Sequence, residues 1–321
     1  MFLSAFSLLG ASTRQDPLLA LAAKEVATYT GDFLYSVFGL LVQSDGSFYV
    51  SDKLDFKVKH IDAKGKLIGE VGKKGRGRGE FVGPYIIVGG KQGIAVADLQ
   101  SPRAQLFTYD LKFLNEIFAP GPIMDMRFDS DDNLWIAVLT YTNSGALFKF
   151  SADASILTQI HLKNTTNYPF DNLFNFTVTP DGNLRALYAC QNILETWTPL
   201  GRLVDERLVP GFPPRSRPGG KQQSAEVSYP YGTIPEGNIF FGVCSDSRGS
   251  LYILGHDYAA NPQRDLFVLN ATGELTGILV LPKPSDLIHI DSNDNLWSIE
   301  DHRMRVTKYK IVQAETQKSK R

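Results

Sequence analysis

One pattern recurs six times along the 321 residues and limits the possible folds more than any other feature. It is a tight turn of Gly, Asn, Asp or Ser, followed at once by a short alternating apolar strand. The copies are Gly46-Ser47-Phe48-Tyr49-Val50, Gln92-Gly93-Ile94-Ala95-Val96 and Asp132-Asn133-Leu134-Trp135-Ile136, then Gly182-Asn183-Leu184-Arg185-Ala186, Gly249-Ser250-Leu251-Tyr252-Ile253 and Asp294-Asn295-Leu296-Trp297-Ser298. Small and amide residues suit a hairpin turn because positive φ costs Gly and Asn least. Aromatic and branched residues suit the half-buried, pleated strand behind it.

Each copy has an apolar run before it, as at Tyr85–Val88, Ile123–Phe128 and Ile239–Val243, and two strand-like runs after it. In the first copy the later runs are Lys57–Ile61 and Lys66–Val71, split by the turn Asp62-Ala63-Lys64-Gly65. Four short antiparallel strands in each period of about 40–50 residues is the grammar of a propeller blade. The expected fold is therefore all-β, a six-bladed β-propeller over residues 21–312, with a tail or signal remnant at 1–20 and a polar, basic tail at 313–321. The sixth copy supplies only three strands, Leu287–Ile290, Leu296–Ile299 and Arg305–Val312, while Glu25–Tyr29 is a spare strand ahead of the first inner run Tyr35–Val42. Glu25–Tyr29 is expected to be the outer strand of the sixth blade, closing the ring and hiding its edges.

Bulk properties narrow the function classes. A hydrophobic share of 43% supports a packed core, and a formal net charge of -1 gives no global field toward nucleic acid or acidic membranes. Nucleic acid is thus not an expected partner, no run is long enough to span a bilayer, and a monomer is expected. Cys190 and Cys244 are too few for a disulfide framework and fall at opposite ends of their strands, so two free thiols are expected. Phe2–Gly10 with Ala11 and Ser12 loosely matches the end of a signal peptide, which favours an extracytoplasmic over a cytoplasmic place, although the positive n-region of a secretory signal is missing.

In the first repeat, Gly46–Asp52, Val58–Gly65 and Gly69-Glu70-Val71-Gly72 resemble an NHL repeat, and Gly75–Phe81 with Pro84 resembles the glycine-spaced link between NHL blades. Val96-Ala97-Asp98 and Phe107–Asp110 continue the likeness, while the later copies share only the strand pattern and turn. The resemblance implies a protein-binding platform. Some such propellers bind RNA, and relatives of the same architecture include calcium-dependent lactonases and amidating lyases. Shared fold does not transfer function.

Strand alternation puts the loops after each second strand and the links between blades on one face. Asp52, Asp98, Thr140, Cys190, His256, Asp257, Asp301, His302 and Arg303 are therefore expected to ring one channel mouth. Four carboxylates there, Asp52, Asp98, Asp257 and Asp301, form a candidate Ca²⁺ set, set against strand-end aspartates that bond their own loops. His256 and His302 are candidate metal ligands or acid–base groups, though no metal-ligand spacing supports them. Two further loops share this face. Lys73, Lys74, Arg76 and Arg78 lie on a glycine-rich segment expected to be mobile and suited to phosphate or an acidic surface. The 209–237 insertion, with Arg215, Arg217, Tyr229 and Tyr231, is expected either to act as a lid or to dangle. No catalytic constellation is present, so a non-catalytic platform for a protein or small ligand leads, without a required cofactor. A metal-dependent lactonase or lyase, and RNA binding by the basic loop, are the alternatives.

Overall fold

The computed structural model describes residues 18–99, 101–139, 145–163, 172–189, 191–209, 228–229, 232–233, 238–257 and 264–313. All of its regular elements of more than one residue are strands. After β1 (Leu19–Tyr29) come β2 (Val37–Val42), β3 (Phe48–Asp52), β4 (Lys57–Ile61) and β5 (Leu67–Val71), then β6 (Pro84–Gly89), β7 (Ile94–Asp98), β8 (Arg103–Phe107) and β9 (Phe113–Phe118). The middle of the chain gives β10 (Ile123–Phe128), β11 (Leu134–Leu139), β12 (Gly145–Phe150) and β13 (Ile156–His161), followed by β14 (Phe174–Val178), β15 (Leu184–Tyr188), β16 (Ile193–Trp197) and β17 (Leu203–Leu208). A two-residue pair, β18 (Ser228–Tyr229) and β19 (Gly232–Thr233), precedes β20 (Asn238–Ser245), β21 (Leu251–Asp257), β22 (Asp265–Leu269) and β23 (Leu275–Val280). The last strands are β24 (Leu287–Ile290), β25 (Leu296–Glu300) and β26 (Arg305–Gln313).

Strands β2 to β17 make four separate four-stranded antiparallel sheets, each in sequence order, as the turn-and-strand repeat predicts. The fold is β-propeller-like: the innermost strands touch in a cycle, β2 to β6, β10, β14, β20, β24 and back to β2. Turn chemistry accounts for the repeat. Gly46, Asp132, Gly182, Gly249 and Asp294 all have φ between 58° and 86°, and in each turn the left-handed residue donates its N–H back across the hairpin. Behind each turn the second strand is buried along its whole length in β3, β7 and β25. Aromatic residues there pack between sheets as expected, with Tyr49, Trp135 and Trp297 at 1% exposure or less.

Two copies repeat a finer module. Asp129 accepts N–H bonds from Asp131 and Asn133 and the indole N–H of Trp135 at 3.2 Å, while Lys149 lies over that indole and pairs with Asp129. In the last sheet Asp291, Asn293, Asn295, Trp297 and Lys308 do the same, with Trp297 Nε1 donating to Asp291 at 2.8 Å. Burial would raise both carboxyls, but these donors hold them below the usual carboxylate range.

The closure differs from the expectation. Strand β1 pairs antiparallel with β26 from Leu21 to Tyr29, but it begins earlier than Glu25 and its first residues take a second partner. Leu19–Ala22 run parallel to Gly277–Val280 of β23. One shared strand thus fuses β20–β23 and β24–β26 into an eight-stranded sheet. Its Leu-Ala-Leu-Ala start is small, apolar and uncharged, like the β23 edge that it covers.

Candidate functional site

The mouth carboxylates are built into the fold. Asp52 is fully buried and accepts N–H bonds from Tyr35 at 2.8 Å and Ser36 at 3.1 Å, which fixes the link entering the first sheet. Asp55 N–H also donates to it at 3.3 Å, and the buried Lys59 lies at 3.0 Å, donating as well to the Phe33 carbonyl and pairing with Asp55 at 2.7 Å. Asp98 repeats the scheme in the second sheet. It accepts from Val82 and Gly83 N–H groups, with Arg103 at 3.5 Å. In the last sheet the equivalent position is Glu300, one residue before the Asp301 singled out in the sequence. Glu300 is buried and accepts from Thr307 at 3.0 Å and from the Tyr309 hydroxyl.

These oxygens are committed to backbone N–H groups and cations, so Asp52 and Asp98 do not fit a Ca²⁺ site. Asp301 is exposed and pairs with Arg305. Among the described residues no three His, Cys, Asp or Glu side chains are grouped to hold a metal. His256 and Asp257 end β21, opposite Ile239 and Asn238, and their side chains lie outside the described residues. Thr140, Cys190, Arg215, Arg217 and Tyr231 also lie outside, and of Tyr229 only the backbone pairing with Gly232 is described.

The basic loop, whose glycines suggest mobility, is crossed by hydrogen bonds. Gly75 and Phe81 bond across it, Gly79 N–H donates to Gln105 at 2.8 Å, and the buried Arg103 guanidinium donates to the carbonyls of Arg76, Gly77 and Glu80. Glu80 folds back to cap Gly77 N–H and to meet Lys73 at 3.2 Å; those bonds hold its carboxyl below the usual range. Lys73, Lys74, Arg76 and Arg78 remain exposed on this fixed frame, with Lys74 over Phe56 and Arg78 over Phe113.

Beside it lies a cationic and aromatic arc that the sequence did not single out as a unit. Phe38 of β2 is flanked by Lys53 at 4.8 Å and Arg303 at 3.9 Å. Asp301, His302 and Arg303 are three consecutive left-handed residues, with φ of 50°, 55° and 70°. Such backbone strain persists only where surrounding contacts over-determine it. Here Val37 N–H donates to the Arg303 carbonyl at 2.8 Å, tying the last hairpin to the first inner strand, and Asp286 lies 3.8 Å from the Arg303 guanidinium. On the same face Tyr35, Leu54, Leu99 and Met304 are 51%, 65%, 43% and 48% exposed. Lys53 and Leu99 both border Gly83, so the arc is continuous from the last sheet to the second.

A second polar group sits on the inner strands toward the opposite end and was also missed. Arg127 pairs with the buried Asp125 on β10, reaches the Val243 carbonyl of β20 at 3.4 Å and lies over Phe176 of β14. Burial raises the Asp125 carboxyl against the pull of Arg127. Burial and the same guanidinium lower His289 on β24 to about 4. Burial pushes the free Cys244 thiol up to about 12, which leaves it inert. The available signal was Asp125 and Arg127 inside the otherwise apolar run Ile123–Phe128.

No family model matches the chain, and no curated protein matches it. Solved structures do. An exported protein from Bacteroides fragilis is 13% identical with a TM-score of 0.59, covering 93% of this chain and 96% of that one. A catalytically inactive virginiamycin B lyase from Staphylococcus aureus with quinupristin is 17% identical with a TM-score of 0.56, covering 87% and 80%. A member of the duf4221 family from Bacteroides vulgatus is 12% identical with a TM-score of 0.56, covering 93% and 100%. At these identities the likeness shows the fold alone: an all-β, repeat-built chain of propeller type.

Proposed function

We propose that the protein is a six-bladed propeller acting as a non-catalytic binding platform, and that the arc of Tyr35, Phe38, Lys53, Leu54, Leu99, Arg303 and Met304 receives an acidic, apolar protein segment. The six-blade reading is supported by the cycle of inner strands, with β1 as the outer strand of the last blade. One observation carries the binding reading: large apolar side chains stand exposed beside Lys53 and Arg303, while the acids Asp52, Asp98 and Glu300 are buried and the exposed Asp301 is paired with Arg305. Exposed apolar groups rimmed by charge mark interaction surfaces. The fixed basic loop at Lys73, Lys74, Arg76 and Arg78 extends the same charge outward. Pre-organised loops lower the ordering cost of binding.

Peptides selected from a displayed random library on the immobilised protein should be enriched in Asp and Glu alternating with apolar residues. A Lys53→Glu/Leu54→Ser variant should bind them at least about tenfold more weakly, a loss of about 1.4 kcal/mol, with an unchanged melt. Selected peptides without acidic residues, or equal binding by the variant, would reject the reading.

An enzyme reading draws on the lyase neighbours and on the inner-strand group of Asp125, Arg127 and His289 rather than on the mouth carboxylates. Turnover of a lactone or of quinupristin that is lost in His289→Ala, and not in Lys53→Glu, would favour it.

A further inference from the structure

In each repeat one inner-strand residue pairs with the second residue of the strand that follows the turn. These equivalent positions are Leu41 (opposite Tyr49), Val88 (Ala95), Arg127 (Trp135), Thr177 (Arg185), Cys244 (Tyr252) and His289 (Trp297). Because the inner strands touch in a closed cycle, the six residues lie at one level around its axis. One residue earlier stand Leu40, Ile87, Met126, Phe176, Val243 and Ile288, apolar and buried in every repeat. The ring itself is not uniform. Leu41 and Val88 are apolar and lie on the neighbouring strands β2 and β6, whereas the four on β10, β14, β20 and β24 all carry hydrogen-bond donors.

Side-chain placement brings the polar half together. Arg127 starts on β10, lies over Phe176 of β14 at 5.8 Å and reaches the Val243 carbonyl of β20 at 3.4 Å, so its guanidinium runs along the inner rim of the cycle. The thiol of Cys244, the next residue on β20, meets the backbone of Ile290, beside His289 on β24. Arg127, Cys244 and His289 stay partly accessible among buried neighbours, as groups lining a narrow space do. The carboxyl that balances Arg127 is set back: Asp125 is 7% exposed and also accepts the Met126 and Phe176 N–H groups. Asp291, the other acid near His289, is taken up by Asn293, Asn295, Trp297 and Lys308. Toward the axis the ring therefore offers donors and a guanidinium.

We propose that this ring is a binding site for a small carboxylate with a short apolar chain, the carboxylate held by Arg127 and a His289 N–H and the chain lying against Leu41 and Val88. The fork of an arginine matches carboxylate geometry, and burial of an anion is tolerated where a cation and hydrogen bonds meet it. Asp125 already occupies one guanidinium nitrogen, so a singly charged group fits the remainder better than a phosphate dianion does. The site is separate from the arc at the mouth and requires no turnover.

Butyrate titrated into the full chain, followed by proton NMR of its five histidines, tests this. Butyrate should shift the His289 resonance, assigned as the one absent from His289→Gln. It should also raise the His289 pKa from about 4, because the bound anion offsets the Arg127 charge. Butanol, with the same chain and no charge, should bind at least about tenfold more weakly, since hydrogen bonds to charged groups are the stronger ones. An Asp125→Asn/Arg127→Gln variant, which strands no buried charge, should keep its melt and lose butyrate binding by a similar factor. An unmoved His289 resonance overturns the proposal. So does butanol that binds as tightly as butyrate, or butyrate binding that survives the double variant.

Discussion

Asp52 is a buried carboxylate bonded at both oxygens. It holds two link N–H groups and the ammonium of a lysine that is itself 1% exposed. Removing one partner of a buried pair leaves an uncompensated charge and costs about 3–5 kcal/mol. Asp52→Ala should therefore lower stability by about that amount in urea unfolding. An Asp52→Leu/Lys59→Met double variant should recover much of the loss, because no charge is then stranded. His289 gives a pH signature of opposite origin. Its folded value, about 4, lies below its ordinary 6.5, so the unfolded chain takes up the proton first as pH falls. That contribution is complete above about pH 6.5 and is lost between there and about pH 4. The melting temperature of the wild type should fall more between about pH 7 and about pH 5 than that of His289→Gln.

At the scale of elements, β1 is the piece on which two groups of strands depend. Ala22 pairs with Val280 on one side and Val312 on the other, and at the far end Tyr29 stacks on Trp297 at 5.7 Å and 8°. Phe48 of the first sheet completes that aromatic group, at 4.9 Å from Tyr29. Proline at Ala22 would remove a ladder donor in a strand paired on both sides, costing about 3 kcal/mol or more. Ala22→Pro should lower the melt accordingly, and Tyr29→Ala should red-shift tryptophan emission as water reaches Trp297. If neither change is seen, β1 is not the joint that its pairing indicates.

For the whole molecule, a net charge of -1 coexists with a cationic arc on one face. Any attraction of an acidic partner is then local, acting within about a Debye length of 10 Å at 0.1 M salt. Association of an acidic peptide should weaken as salt is raised, mainly through a slower on-rate, since steering acts at encounter. Surface plasmon resonance at two salt concentrations reads this directly. An unchanged on-rate would mean that apolar contact alone governs docking.

The turn-and-strand repeat was legible in the sequence because its cause is local: Gly46 or Asp294 in a hairpin needs no distant residue to favour positive φ. Strand alternation likewise puts Asp52 and Asp98 at the ends of β3 and β7. What those carboxylates do was not legible, since Lys59 and Arg103 compete for them with water and metal only once burial is known. One residue of register separated Glu300, buried against Tyr309, from Asp301, which is exposed in a left-handed hairpin. The Phe38–Lys53–Arg303 arc joins residues from both ends of the chain, and β1 meets β23 across more than two hundred residues of sequence. Such pairings are set by which edges and charges the closed assembly brings within contact distance. The sequence determined the repeated unit and its turns; only the tertiary structure decided the partners of its charges and edges, because desolvation and edge pairing depend on what packs alongside.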